Sequence, residues 1–295
     1  MKLDTNKGEV LSSLSKKKII FKVPSLNFYS YLDWTTNKNL ILNQIQKKYK
    51  KKLIALRSSA CDEDGIINSN AGRYKSFLNV NSASKKIEKK IDEIFKSYKK
   101  YRTINKNDMF IVQEMVEDLS MSGVVFTKDL ETGSNYYVIN YDDETGSSDS
   151  VTSGKGELSN RVLYIQKKMT RYVKSKRFKV LIKAVQNLEK IFDHKNLDIE
   201  FALDKKLTPY LLQARQLRNL RRKNFFSEKQ IDNELKNCSK KIFNMQNKNY
   251  NNYAGNIVFF GNMPDWNPAE IIGNQPNNLA YSLYNYLITK NSWVK

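Results

Sequence analysis

The chain has 295 residues and a formal net charge of +21, from 51 lysines and arginines against 30 aspartates and glutamates; that length suffices for two domains or one large one with a proper core. Cys61 and Cys238 stand far apart in no C-x-x-C spacing, which suggests neither a zinc knuckle nor a disulfide framework, and with His194 the only histidine a histidine metal cluster is excluded. No apolar run reaches the length of a membrane span and the N-terminus MKLDTNKGEV carries acids, so a soluble cytoplasmic protein with no membrane partner is expected. The positive excess is mostly lysine scattered through asparagine-rich text, the pairing an AT-rich genome favours. Clusters at 166–179 and 215–223 therefore read as solvated faces before they read as nucleic-acid contacts.

Residues 36–51 have a helical apolar spacing and run into LIALRSSA, a short buried strand ending at Arg57. The polar stretch that follows, with Gly65 and Gly72, reads as a loop. Over 82–100, Ile87, Ile91, Ile94, Phe95 and Tyr98 form one helical stripe, with Ser82 or Ser84 as its cap. Strands follow at 109–116, 122–127, 135–142 and 161–165, then an amphipathic helix at 178–192, with His194 in the loop after it. Strand runs flanked by helices in this order predict an α+β, mixed α/β arrangement rather than a doubly wound parallel sheet. After Arg215 the text turns Lys, Asn and Arg rich, with a helix opened by Ser227 and Gln230 at capping-box spacing. A Pro and Gly punctuated segment at 261–273 and an amphipathic run at 279–289 close the chain.

DIEFALDKKLTPYLLQAR (198–215) is the most informative stretch. Side chains alternate faces along a strand, so Asp198 and Glu200 share one face, as do Gln213 and Arg215. The turn at 204–209 lays the two runs side by side as a hairpin, gathering two acids, an amide and a guanidinium. Buried charges are costly unless paired. Two readings stand level on these residues: a self-satisfying ion pair that holds the hairpin, and a metal and phosphate site of oxygen ligands beside a fork of donors.

The polar exceptions within apolar strands form a set with it: Lys7 beside Gly8, Arg57, Gln113, Glu200, Gln213 and Arg215. They supply cations for phosphates, oxygen ligands for Mg²⁺ and a slot for an adenine edge. Neither G-x-x-x-x-G-K-[ST] nor G-x-G-x-x-G is present, which disfavours a P-loop or dinucleotide fold. Over residues 5–217 the chain resembles the N-terminal ATP-grasp domain shared by phosphoenolpyruvate synthase and pyruvate phosphate dikinase. The resemblance is carried in order by NKGEVL, LRSSACDEDG with NSNAGRYKSFLNV, IVQEMV, SGVVFTKD, DIEFALD and LLQARQL. YYVINYDDETGSSDSVTSG and MPDWNPAEIIG are most similar to the capsule-associated L-glutamine kinases, which phosphorylate the side-chain amide of glutamine.

The resemblance implies a two-lobed ATP-grasp fold, with antiparallel sheets flanked by helices, a nucleotide-binding domain over 1–217 with its hinge near 113–116, and a helical connector over 218–295. It makes Lys7 and Arg57 phosphate-binding cations, Arg215 a clamp on the transferring end, and Glu200 and Gln213 ligands of Mg²⁺. Gln113, Glu114, Met115 and Val116 would line the adenine slot, Gly72 and Ser76 would close over the phosphates, and Asp198 would bind or orient its neighbours. Arg57 and Arg215 are the residues implied in catalysis, and ATP and Mg²⁺ the cofactors. The chain departs from the family in Thr5-Asn6-Lys7-Gly8, where Gly-Gly-Lys-Gly is common, and in Lys75, where relatives carry an acid. The family's phosphohistidine swivelling domain has no counterpart here. The expectation is a truncated or split protein, its histidine domain on a second chain or a missing part, and its glutamine bound there too. Alternatives are a phosphoenolpyruvate synthase-like dikinase and, from another class, a basic nucleic-acid-binding or inactive interaction module.

Overall fold

The computed structural model describes residues 7–61, 73–144, 161–193, 196–217, 227–246, 272–273 and 275–293. Gly65, Gly72, His194 and most of the 261–273 segment lie outside them. The chain divides into two compact units, Met1–Glu228 and Lys229–Lys295.

The first unit holds two antiparallel sheets flanked by helices, a mixed α/β fold. The four-stranded sheet contains β1 (Leu26–Ser30), β2 (Leu53–Ser59), β3 (Phe77–Asn81) and β4 (Met109–Glu114), in the order β1-β4-β2-β3. Helices α2 (Tyr31–Tyr49) and α3 (Ile87–Lys99) cover one face of it. Every member of the Ile87, Ile91, Ile94, Phe95, Tyr98 stripe is buried there. Phe110 of β4 sits at the middle of an aromatic cluster, with ring centroids of Tyr29, Trp34 and Phe95 at 5.5, 5.6 and 5.8 Å, an arrangement worth more than area burial alone.

The five-stranded sheet contains β5 (Leu119–Phe126), β6 (Tyr136–Asp142), β7 (Arg161–Gln166), β8 (Leu197–Asp204) and β9 (Pro209–Gln216), in the order β7-β6-β5-β8-β9. Helices α1 (Lys7–Ser15) and α4 (Lys176–Ile191) build the core on one face of it, through Val10, Leu11, Leu14, Leu181, Val185 and Leu188. Gly123 in β5 is fixed by strand spacing: a Cβ there would lie 2.0 Å from the Asn140 carbonyl oxygen and 2.8 Å from Tyr141 Cα of β6.

The chain passes between the sheets twice, from α1 to β1 and from β4 to β5. The crossings are tied where they run together. The Glu114 N–H donates to the Ser25 carbonyl (2.9 Å), and Lys22 exchanges backbone bonds with Pro209 and Leu211 (2.8 and 3.0 Å).

Several elements differ from the sequence reading. The strand expected to end at Arg57 continues to Ser59, because Arg57, Ser58 and Ser59 pair with Ile111, Phe110 and Met109 of β4. Lys7 of the NKGEVL motif starts a helix, with Gly8 packed so closely that a Cβ would meet the Phe28 ring at 3.1 Å. The helical run read from 36 is preceded by another, so that α2 starts at Tyr31, capped reciprocally by Ser30 and Asp33, and is kinked at Asn37 (φ −128°, ψ 36°). Neither serine caps α3. It starts at Ile87 from Lys86, and Ser84 Oγ accepts the Lys86 N–H one turn before it.

Helix α5 (Glu228–Gln246) begins directly after Ser227, at the boundary between the units, and in the second unit α6 (Asn278–Tyr284) is capped by the Asn277 side chain, which accepts the Ala280 N–H at 2.8 Å. No helix among the described residues is long and apolar enough to cross a membrane.

One buried acid organises the end of β2. Asp108 is fully buried and accepts from both terminal nitrogens of Arg102 (2.8 and 2.6 Å) and from the backbone N–H groups of Cys61 (3.0 Å) and Asn105 (2.7 Å). Burial pushes its carboxyl up, but these donors together outweigh burial and hold it below the ordinary aspartate value of 3.8. A carboxylate depressed in the folded state contributes stability above the unfolded value, and that contribution is lost as pH falls through the folded one. Asp108→Asn should therefore cost about 2–3 kcal/mol at neutral pH in urea unfolding and flatten the acid limb of the stability curve. Gly123→Ala should fail to reach the native β5–β6 pairing, read as loss of a cooperative thermal transition.

Candidate functional site

The hairpin forms in the anticipated register. Asp198 pairs with Arg215 and Glu200 with Gln213 across β8 and β9, and the turn is closed by the Thr208 N–H on Asp204 Oδ1 (2.7 Å). Leu197, Ile199, Phe201 and Leu203 face the helix-covered core, so alternation sends Asp198 and Glu200 to the other face. Phe201 pairs with Leu211, making Leu212 the extra residue of a bulge. The bulge lets Leu211 and Ala214 both enter the core while Gln213 stays opposite Glu200.

The opposing surface comes from the four-stranded sheet. Ile54 and Leu56 point into the α2–α3 core, which leaves Arg57 and Ser59 on the far side of β2. Arg57 Nη1 reaches Glu200 Oε2 at 2.9 Å, an ion pair joining the two sheets, with both side chains 18% exposed. Beside it Arg215 donates through Nε and Nη2 to Asp198 Oδ2, each at 2.7 Å. Burial pushes the Asp198 carboxyl above its ordinary range against the pull of Arg215. Glu200 adds to the rise, and Lys7, at the start of α1, is near enough to oppose it.

Two polar atoms on this side of β2 are buried with no hydrogen-bond partner among the described residues, Arg57 Nε and Ser59 Oγ. The sequence reading took Arg57 and passed over Ser59. Their spacing of two along one strand was the available signal.

The other expected residues are distributed around this centre. Gln113 is buried, and its Nε2 approaches the Leu212 carbonyl at 3.5 Å, a second polar contact between the sheets. Ser76 stands before β3, its hydroxyl accepting the Ser58 N–H at 3.4 Å. Glu114, Met115 and Val116 line a cleft of about 660 Å³ at the two crossings, together with Lys22, Lys52 and Tyr210. Glu114 is paired with Lys52 at 2.5 Å, and the Met115 N–H is bonded to the Leu53 carbonyl at 3.0 Å. None of Arg57, Gln113, Asp198, Glu200, Gln213 and Arg215 lines this cleft. The lysines and Tyr210 gave no sequence signal, since each is an ordinary turn or strand-end residue.

Among the described residues no group of three or more His, Cys, Asp or Glu is placed to hold a metal ion. Glu200 and Gln213 offer one carboxylate and one amide oxygen side by side. That set suits Mg²⁺, which keeps most of its water and takes one or two carboxylates with phosphate oxygens.

Residues 37–155 match the family model of the pyruvate phosphate dikinase AMP/ATP-binding domain. Over 110 residues, 35% of this chain, the sequence is 32% identical to the prodigiosin synthesizing transferase PigC of Serratia marcescens, and the matched stretch is 12% of that protein's length. Among solved structures, the D-alanine-D-alanine ligase of Helicobacter pylori is matched over 81% of this chain and 58% of its own, with a TM-score of 0.42 and 11% identity. The D-alanyl-alanine synthetase A of Vibrio cholerae is matched over 77% and 60%, with a TM-score of 0.42 and 11% identity.

The contact between the sheets is testable by itself. A double-mutant cycle of Arg57→Met and Glu200→Gln should return a coupling of about 1–2 kcal/mol in urea unfolding. A coupling near zero would mean that the two side chains are not paired in solution.

Proposed function

We propose that the chain is the ATP-binding part of an ATP-dependent phosphotransferase, with the nucleotide phosphates seated at the Arg57–Glu200 centre. The observation that carries this reading is the buried Arg57 Nε, a donor without a partner among the described residues, beside a carboxylate and an amide oxygen. An unsatisfied buried donor costs about 1–3 kcal/mol, and a phosphate oxygen satisfies it. Ser59 Oγ, two residues on, offers a second such donor. The match of residues 37–155 to an AMP/ATP-binding domain supports the same assignment from sequence.

Here the centre is neutralised from within, Arg57 on Glu200 and Arg215 on Asp198. Binding exchanges partners. Arg57 turns its donors from Glu200 to phosphate oxygens, where a guanidinium fork fits well; Arg215, still held by Asp198, clamps the transferring end, and Lys7 adds a third cation. Glu200, released from Arg57, and Gln213 would hold Mg²⁺, which when bound would supply charge neutralisation on the transferring phosphates. Asp198 keeps Arg215 oriented. Glu114, Met115 and Val116 with Gln113 take the base side, and Ser76 with Gly72 the phosphate cover. The nucleotide-binding domain over 1–217, a connector after it, a glutamine acceptor and a phosphohistidine domain on a further part or second chain complete the reading. The glutamine assignment rests on the resemblance of 136–154 and 263–273 to glutamine kinases.

Thermal shift with Mg·ATP tests it. At a hundredfold excess over Kd the wild-type chain should gain about 2.7 kcal/mol of stability. Arg57→Met should lose most of that shift, and Glu200→Gln its dependence on Mg²⁺. No shift at millimolar Mg·ATP, with steeply salt-dependent retention on nucleic acid instead, would sink the proposal.

A further inference from the structure

On the helix-covered side of the five-stranded sheet, away from Arg57 and Glu200, a second cavity of about 530 Å³ opens between α4 and the ends of β5, β6 and β7. Three lysines line it, Lys128, Lys167 and Lys190, with the amides of Asn135 and Asn196. Its inner wall is a fixed acid. Glu189 is buried, accepts from the Tyr137 hydroxyl at 2.6 Å and is paired with Lys167 at 2.5 Å. That pair leaves Lys167 neutralised, and Tyr137, raised by burial and then by Glu189, stays protonated. Lys128 and Lys190 have no carboxylate partner among the described residues, so the cavity carries two uncompensated positive charges. Charges of one sign in a low-dielectric concavity attract a ligand of the other.

We propose that this cavity binds a small phosphate-type dianion, inorganic phosphate or a phosphate monoester. Lys128 and Lys190 match it in charge, and the Asn135 and Asn196 amides can donate to its several oxygens around one centre. Glu189 sets the orientation, because it holds Lys167 against the wall and repels anion oxygens from the inner end. The ligand would bridge the end of β5, through Lys128, to the start of β8, through Asn196. These are the two strands that pair Phe126 with Asp198, so occupancy would stiffen the ladder that carries the charged centre on its other face.

The test is thermal shift of the full chain titrated with inorganic phosphate at constant ionic strength, with chloride as the reference anion. A saturable rise is expected for phosphate, and Lys128→Gln with Lys190→Gln should weaken its midpoint by at least about tenfold. Should the double variant fold poorly, each single variant should still weaken the midpoint. Because the proposed nucleotide centre also takes phosphate oxygens, the titration is repeated in the Arg57→Met background, where a saturable rise that depends on Lys128 and Lys190 should remain whether or not that assignment stands. Three results would overturn the proposal: no saturable response, a response the lysine variants do not alter, or one that Arg57→Met removes. An equal response to succinate would overturn the phosphate class.

Discussion

Arg57 and Glu200 are 143 positions apart and belong to different sheets, yet they meet at 2.9 Å with most of both side chains out of water. Neither charge is tolerable there alone, because removing one partner leaves the other desolvated without compensation. The two sheets must therefore present these residues to each other. The Leu212 bulge, the packing of Gln113 on the Leu212 carbonyl and the paired crossings all serve that placement. The pair also sets the chemistry, since a carboxylate and a guanidinium that neutralise each other can each exchange for a ligand of its partner's sign.

Burial on one side of each strand decides which groups reach this centre. In β8 the core takes Leu197, Ile199, Phe201 and Leu203, and the polar residues between them have only the opposite face. In β2 the same division sends Ile54 and Leu56 one way and Arg57 and Ser59 the other. A slip of one residue in either strand would bury a charge in an apolar core. Hydrophobic burial thus enforces the site's register without touching its chemistry.

The same logic explains how far the sequence could be read. The hairpin, its turn and its polar face were legible because period-two alternation is local, and so was the α3 stripe. The helix α1 was not, since KGEVLSSLS is nine residues long and its buried positions, Gly8, Val10, Leu11 and Leu14, are too few to show a period. Nor was β1, LNFYS, whose five residues are all half-buried and show no alternation. Arg57 and Glu200 were both recognised as polar exceptions, but their pairing was not, because contacts between sheets follow from tertiary packing alone. Within the hairpin Asp198 closes on Arg215, while Glu200 reaches outside it to Arg57.

The two crossings between the sheets run side by side, joined by the Glu114–Ser25 bond. That tie, and those of Lys22 to Pro209 and Leu211, are made by the backbone alone. The sheets therefore stay attached at that edge whether or not Arg57 and Glu200 are paired, and the side chains of the centre can change partners without the chain losing its connection there.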